Sequence, residues 1–225
     1  MSVANLITVG RLILLFIAIA MIYWGNAGFV LVAVLLVAII FAGDGLDGYV
    51  ARRRKSTSQF GAVFDIAGDR IVENALWVIF AELQLVPVWI PILVLTRSFV
   101  VDGIRSISYA EGKTAFGADN MMRSQITNWL TAGRFMRTLY GYAKALGFVF
   151  LTGLEGYRHR DAPDSIIHHV YAWDPLRWAG WTCVVVAVAL TVVRGLPVIY
   201  DASALWSKPG TPLPDTAGSD PVAHR

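Results

Sequence analysis

The sequence predicts an all-α integral membrane protein, six transmembrane helices around a polar cavity, and three observations carry that prediction. Of 225 residues, 56% are hydrophobic and only 16% are charged. Mean hydropathy is +0.57. The apolar residues fall into about six segments, each near the ~20 residues that a helix needs to cross the hydrocarbon core. This composition excludes an ordinary soluble domain.

The first segment, Leu6 to Trp24, has no small-residue cleavage site before the next polar stretch and reads as a retained span. The second runs from Gly28 to about Ala51, and the third from Gly61 to Leu85. The fourth, Val86 to about Tyr109, has Pro87 and Pro91 near its start, where a helix best tolerates proline. A fifth, about Ser124 to Leu151, is polar in its first half, and Trp178 to Tyr200 is the sixth. From Ser207 the composition turns to Pro, Gly, Ser, Thr and Asp without apolar periodicity. The expected organisation is therefore one six-helix domain over 1–206 and a disordered tail over 207–225.

Charge placement sets the expected topology. The connections Gly25 to Gly28 and Gln84 to Pro87 contain no Lys or Arg, whereas the turns at Arg52 to Lys55 and Lys113 to Arg123 are basic. The positive-inside rule then puts both termini and the basic turns in the cytoplasm, with Thr152 to Trp173 as a loop on the far side. The basic cluster has no accompanying aromatic ladder, so it reads as a membrane anchor and not as a nucleic-acid patch. Cys183 is alone in an apolar run and reads as a small buried side chain. His159, His168 and His169 lack metal-ligand spacing and read as polar loop residues.

Four acids interrupt this apolar chain at the ends of the second and third segments. Asp44 and Asp47 are three residues apart and Asp65 and Asp69 four apart, so each pair shares a helix face. The Arg52 to Phe60 turn folds the two segments into a hairpin in which all four carboxylates converge near the cytoplasmic boundary. Clustered anions in a partly desolvated place repel unless protonated or metal-bound. An all-oxygen ligand set suits Mg²⁺, Mn²⁺ or Ca²⁺, and two divalent ions would balance the four acids. Small residues surround them, Gly45, Gly48, Ala51, Gly61, Ala62, Ala67 and Gly68, which allow close helix packing or the approach of a phosphate to backbone. Arg52, one turn past Gly48, can reach a diphosphate at the same mouth. These features suit phosphoryl transfer from a nucleotide-activated lipid, although the residue types alone leave other diphosphate chemistry open.

The stretch DGLDGYVARRRKSTSQFGAVFDIAGD, Asp44 to Asp69, fits DxxDGxxAR, eight residues, then GxxxDxxxD. It resembles the signature of the CDP-alcohol phosphotransferase family, whose fold has six helices. The resemblance implies a dinuclear Mg²⁺ or Mn²⁺ site held by Asp44, Asp47, Asp65 and Asp69, with Asp69 as the general base that activates the acceptor hydroxyl. Gly48, Ala51, Arg52 and Gly61 would hold the CDP part. Asn5, Thr8 and Arg11 resemble the family's Asn-x-x-Thr-x-x-Arg opening; Asn5 and Thr8 would approach the nucleotide, and Arg11 would do so or anchor the helix end. The hydroxyl would attack the β-phosphorus directly, CMP would leave, and the enzyme would be a homodimer in the bacterial inner or plasma membrane, its site facing the cytoplasm.

Acceptor choice falls to Arg97, Arg105, Arg134 and Arg137, since arginines in spans need an anionic partner. TRSFVVDGIRS, Thr96 to Ser106, is similar to a region of phosphatidylglycerophosphate synthases, and GRFMRT, Gly133 to Thr138, loosely resembles their later motif with arginine for lysine and one residue inserted. The expected reaction transfers a phosphatidyl group from CDP-diacylglycerol to glycerol 3-phosphate. Inositol phosphate, serine or phosphatidylglycerol would use the same core, and Arg134 and Arg137 also read as helix-end charges. Lys144 reads equally as a partner of Asp102 or as a snorkelling residue. Two other classes remain: an intramembrane prenyltransferase, which would need acid motifs on two distant hairpins, and a divalent-cation transporter, which would show flux without CMP release.

Overall fold

The computed structural model describes residues 3–54, 59–110, 133–158 and 165–206; for residues 3–4, 44–54, 59–60, 62, 105, 107–110, 134 and 201–206 it describes the backbone alone. Six long helices and one short helix make up almost all of this: α1 (Val3–Trp24), α2 (Ala27–Arg54), α3 (Gln59–Glu82), α4 (Trp89–Ala110), α5 (Arg134–Arg158), α6 (Ile166–Tyr171) and α7 (Asp174–Trp206). No strand occurs among the described residues.

The segment pattern sets these helices, and their ends follow local chemistry. Gly25 closes α1 with φ 73°, a left-handed turn that costs glycine little. Gln84 does the same after α3 at φ 58°, and the Leu85 N–H returns to the Phe80 carbonyl at 2.9 Å. Pro91 lies in the first turn of α4, as expected. The described part of the expected far-side loop is largely helical. α5 continues past Leu151 to Arg158, whose Nη1 donates to the Leu83 carbonyl at 2.7 Å and ties the end of α5 to the end of α3. Ser165 then caps α6 by accepting from the His168 N–H at 3.3 Å. Tyr171 of α6 tucks beneath α5, where its hydroxyl donates to the Phe150 carbonyl at 3.1 Å and burial pushes the phenol up to about 12. His168 packs on the Tyr157 ring at 4.8 Å. The expected fifth-segment start at Ser124, the Lys113 to Arg123 turn, His159 and the tail from Ser207 lie outside the described residues.

Among the described residues, two stretches are long and apolar enough to cross a bilayer, Asn5–Trp24 and Asp174–Tyr200, with Ala27–Gly43 a shorter apolar one. The other long helices carry charge along their described length: Asp65, Asp69, Arg70 and Glu73 in α3, Arg97 and Asp102 in α4, Arg137 and Lys144 in α5. The outer faces are apolar nonetheless. Leu6, Phe16, Leu35, Ile92, Phe99 and Val185 are each more than half exposed. Both spans bury only about a third of their length or less inside the protein, the reverse of a soluble core helix.

Inside, buried residues recur at helical spacing: Leu15, Ala18 and Ile22 on α1; Val30, Ala33, Val37 and Ile40 on α2; Val72, Leu76 and Phe80 on α3. Phe148 of α5 is their hub, with Trp77, Phe41 and Phe80 rings at 4.8, 5.4 and 5.8 Å. α1 packs on both α2 and α3, α5 on α2 and α7, and α4 on α3 and α7. Where α1 meets α3, a Cβ on Gly68 would lie 2.5 Å from Thr8 Cγ2, so only glycine permits the approach. Gly68→Ala is expected to destabilise the protein by about 1 to 3 kcal/mol, read as a lower thermal midpoint in detergent. Thr8→Ser, which removes the obstructing methyl and keeps the hydroxyl, should restore most of the loss; no restoration would disprove the contact as the cause.

Candidate functional site

The contact that Gly68 permits brings α1 against the second acid pair. Asn5, Thr8 and Arg11 are buried on one face of α1, three residues apart. Thr8 Oγ1 donates to Asp65 Oδ1 at 3.5 Å. Arg11 Nη2 is 2.9 Å from Asp69 Oδ1, and Nη1 is 3.9 Å from Asp65 Oδ1. Arg11 is 5% exposed, so it is no membrane anchor.

Arg11 also reaches α2. Its Nε donates to the Ile40 carbonyl at 3.2 Å, and its stem lies 3.5 Å from where a Cβ of Gly43 would stand. Ile40 is one helical turn before Asp44. One guanidinium therefore links the two acid-bearing helices at the level where the four aspartates were expected to converge. Asp44, Asp47, Gly48, Ala51 and Arg52 lie on α2, and Gly61 on the first turn of α3. The side chains of Asp44, Asp47 and Arg52 are outside the described residues, and no group of three metal-binding side chains occurs among those described. The described half of the acid set nevertheless fits a divalent ion. Asp65 and Asp69 are hard oxygen donors, 44% and 39% exposed, four residues apart on α3.

Beyond Asp69, α3 carries a second polar group buried against α4, α5 and α7. Arg70 forms a two-point pair with Asp102 of α4, Nε to Oδ2 at 2.9 Å and Nη2 to Oδ1 at 3.1 Å. Glu73, 2% exposed, accepts from Lys144 Nζ at 3.1 Å and from the Tyr140 hydroxyl, and stands 3.7 Å from Arg70 Nη1. The Lys144 ammonium lies 5.1 Å from the Tyr140 ring centre, and the Arg194 guanidinium 5.0 Å from the same ring. Thr191 of α7 places its hydroxyl 3.3 Å from the Tyr140 oxygen and 2.8 Å from the Ala187 carbonyl, so its single proton serves one of them at a time.

Arg97 of α4 borders this group and interacts electrostatically with Arg70, Glu73 and Asp102. Its stem fits against Gly195, its Nε has no hydrogen-bond partner among the described residues, and it lines a cavity of about 130 Å³ with Thr96, Val100, Thr191 and Leu196. Among the described residues, the cations Arg70, Arg97 and Lys144 stand around the acids Glu73 and Asp102, and Lys144 also interacts with Asp69. Of the other expected acceptor residues, Arg137 is exposed on α5; the side chains of Arg105 and Arg134 lie outside the described residues. A larger cavity, about 540 Å³ between Gln84, Leu85, Leu154, Arg158, Trp178 and Trp181, is at the other end of α3 and contains none of the expected site residues.

Sequence reading did not find Glu73 or Tyr140. The available signal for Glu73 was an acid in an apolar run, four residues after Asp69 and hence on the same face. Lys144 had been placed with Asp102 or in the headgroups; Arg70 occupies Asp102 with both carboxylate oxygens, and Lys144 goes to Glu73.

Comparison with known proteins adds to this geometry. A family described as CDP-alcohol phosphatidyltransferase matches residues 1–154, which include α1 to α4 and most of α5. A Bacillus subtilis protein named CDP-diacylglycerol--glycerol-3-phosphate 3-phosphatidyltransferase is 30% identical over 99 residues, 44% of this chain and 50% of that protein. A Treponema pallidum protein of the same name is 30% identical over 138 residues, 61% of this chain and 62% of that protein. A Mycobacterium tuberculosis protein provisionally named cardiolipin synthase is 28% identical over 209 residues, 88% of this chain and 87% of its own length. The chain thus spans about half to six-tenths of the phosphatidyltransferases it matches.

Proposed function

The chain belongs to the CDP-alcohol phosphatidyltransferase family, and from that membership we propose that it transfers a phosphatidyl group from CDP-diacylglycerol to a hydroxyl of glycerol 3-phosphate, releasing CMP. The observation that carries this reading is the ungapped acid pattern from Asp44 to Asp69, whose second pair is engaged by Thr8 and Arg11. The names of the relatives supply the acceptor.

Asp44, Asp47, Asp65 and Asp69 would hold two divalent ions, Mg²⁺ or Mn²⁺, which when bound neutralise the diphosphate and stabilise departing CMP. Gly48, Ala51, Gly61, Asn5 and Thr8 would form the CDP side, and Arg52 would meet its phosphate. Asp69 takes the proton from the acceptor hydroxyl as that oxygen bonds to the β-phosphorus and the bond to CMP breaks. Arg11 orients the Asp69 carboxylate. Arg97, with Arg105, Arg134 and Arg137, would meet the acceptor phosphate, a role suited to a guanidinium on α4 that lines a small cavity. The membrane location supplies the lipid donor directly, and the basic cluster Arg52 to Lys55, which begins in the last turn of α2, supports a site on the cytoplasmic face. A homodimer follows from the family resemblance alone.

The test offers purified protein CDP-diacylglycerol with Mg²⁺ or Mn²⁺ and glycerol 3-phosphate, inositol phosphate, serine or phosphatidylglycerol, following CMP. Rapid release with glycerol 3-phosphate is expected, and chelation of the metal should abolish it. Release with phosphatidylglycerol instead would move the chain to the cardiolipin branch, which the near full-length mycobacterial match makes the natural second reading. Metal flux into proteoliposomes without CMP release would overturn the enzyme reading.

A further inference from the structure

We propose that Glu73 is the positioning residue of the acceptor half of the site: acting through Lys144, it fixes the cationic wall beside Asp69 against which the acceptor's anionic group is oriented. This rests on the transfer reaction proposed above.

Glu73 is four residues after Asp69 on α3, so the two carboxylates project from one stripe of the helix. Their surroundings differ. Asp69 is 39% exposed at the mouth, whereas Glu73 is 2% exposed and its oxygens are occupied by Tyr140 and Lys144. A buried carboxylate is tolerable only with such partners, and three cations stand around this one: Lys144 at 3.1 Å, Arg70 at 3.7 Å and Arg97 at longer range. Lys144 is flanked by the Phe41 and Tyr140 rings, and its charge also interacts with Asp69. Lys144 therefore makes its contact with Glu73 while its charge is also felt at Asp69. Tyr140 braces the arrangement by donating to Glu73 while its ring lies beneath Lys144 and Arg194.

The geometry separates the effects on the two substrates. Glu73 touches cations on α3 and α5, and among the described residues none of its side-chain hydrogen bonds or ion pairs is with α1 or α2, which carry most of the expected CDP side. Removing its charge should therefore displace Lys144 and disturb acceptor recognition, leaving recognition of the CDP-lipid in place.

The experiment measures steady-state CMP release by full-length protein in detergent, varying each substrate in turn, for wild type, Glu73→Gln, Lys144→Met and the double variant. Expected for Glu73→Gln is a KM for glycerol 3-phosphate at least tenfold higher, with the KM for CDP-diacylglycerol within twofold. In the Lys144→Met background the Glu73→Gln change should add less than twofold, because the residue it acts through is gone. The double variant also removes both buried charges together, so it folds even if Glu73→Gln strands the ammonium and does not. In that case the double variant decides, by the same split between the two KM values. A double variant with wild-type acceptor KM, or KM values for both substrates rising in parallel, overturns the proposal. Absence of CMP release from wild type counts against the transfer reading itself and takes this proposal with it, so the two failures are distinguishable.

Discussion

Asp69→Asn is expected to abolish CMP release while leaving CDP-diacylglycerol binding within a few-fold of wild type. Asparagine keeps the shape of the side chain and loses its capacity to take a proton, and a positioned base contributes roughly 10² to 10⁴-fold to rate. The geometry makes Asp69 distinct from its neighbour. Asp69 receives the closer approach of Arg11, 2.9 Å, and Asp65 receives Thr8 at 3.5 Å. Turnover by Asp69→Asn at the wild-type rate would remove it as the base. A parallel loss of CDP-lipid binding would assign it to holding the metal alone. The measurement is single-turnover CMP release beside equilibrium binding of the donor lipid.

The second large effect is expected at Arg11. Arg11→Met keeps the packing of the stem and deletes the contacts to Asp69, Asp65 and the Ile40 carbonyl. The Nε bond to the Ile40 carbonyl is a charge-assisted hydrogen bond worth about 1.5 to 3 kcal/mol, and the ion pairs to Asp69 and Asp65 are lost with it, so turnover should fall by roughly ten- to a hundredfold and the thermal midpoint in detergent should drop with it. Arg11→Lys retains the charge, but a single ammonium does not reproduce a guanidinium that donates to the Ile40 carbonyl while facing both carboxylates, so it should rescue stability better than turnover. A residue that merely anchored α1 in the headgroups would change neither. Wild-type turnover in Arg11→Met would therefore refute the bridging role.

How much of this was legible in the sequence depends on whether the information was local. The Asp65 and Asp69 pair and the Asn5, Thr8, Arg11 series could be read because both depend on spacing within one helix. Their mutual contact could not, since it depends on Gly68 letting α1 approach α3. The same distinction explains Lys144: its partner was a choice among acids on other helices, and the two-point fit of Arg70 to Asp102 decided it. Between Thr152 and Trp173 the polar residues suggested a loop. Helix α5 persists there because Thr152 and Glu155 are buried, Thr152 donating back to the Phe148 carbonyl at 2.8 Å and Glu155 lying 3.5 Å from Arg158. Charges within α3, α4 and α5 fall inside segments that the sequence reads as spans, and the same charges make up the candidate site.

The length of α7 has a mechanical consequence. Its apolar stretch, Asp174 to Tyr200, comprises 27 residues, about 40 Å of helix at 1.5 Å per residue, against a hydrocarbon core of ~30 Å. The excess is absorbed by leaning the helix or by thickening the surrounding lipid. Thr191 and Gly195, which close the wall around Tyr140 and Arg97, are on this same rod. A change in the lean of α7 would therefore move the wall that Thr191 and Gly195 form against Tyr140 and Arg97.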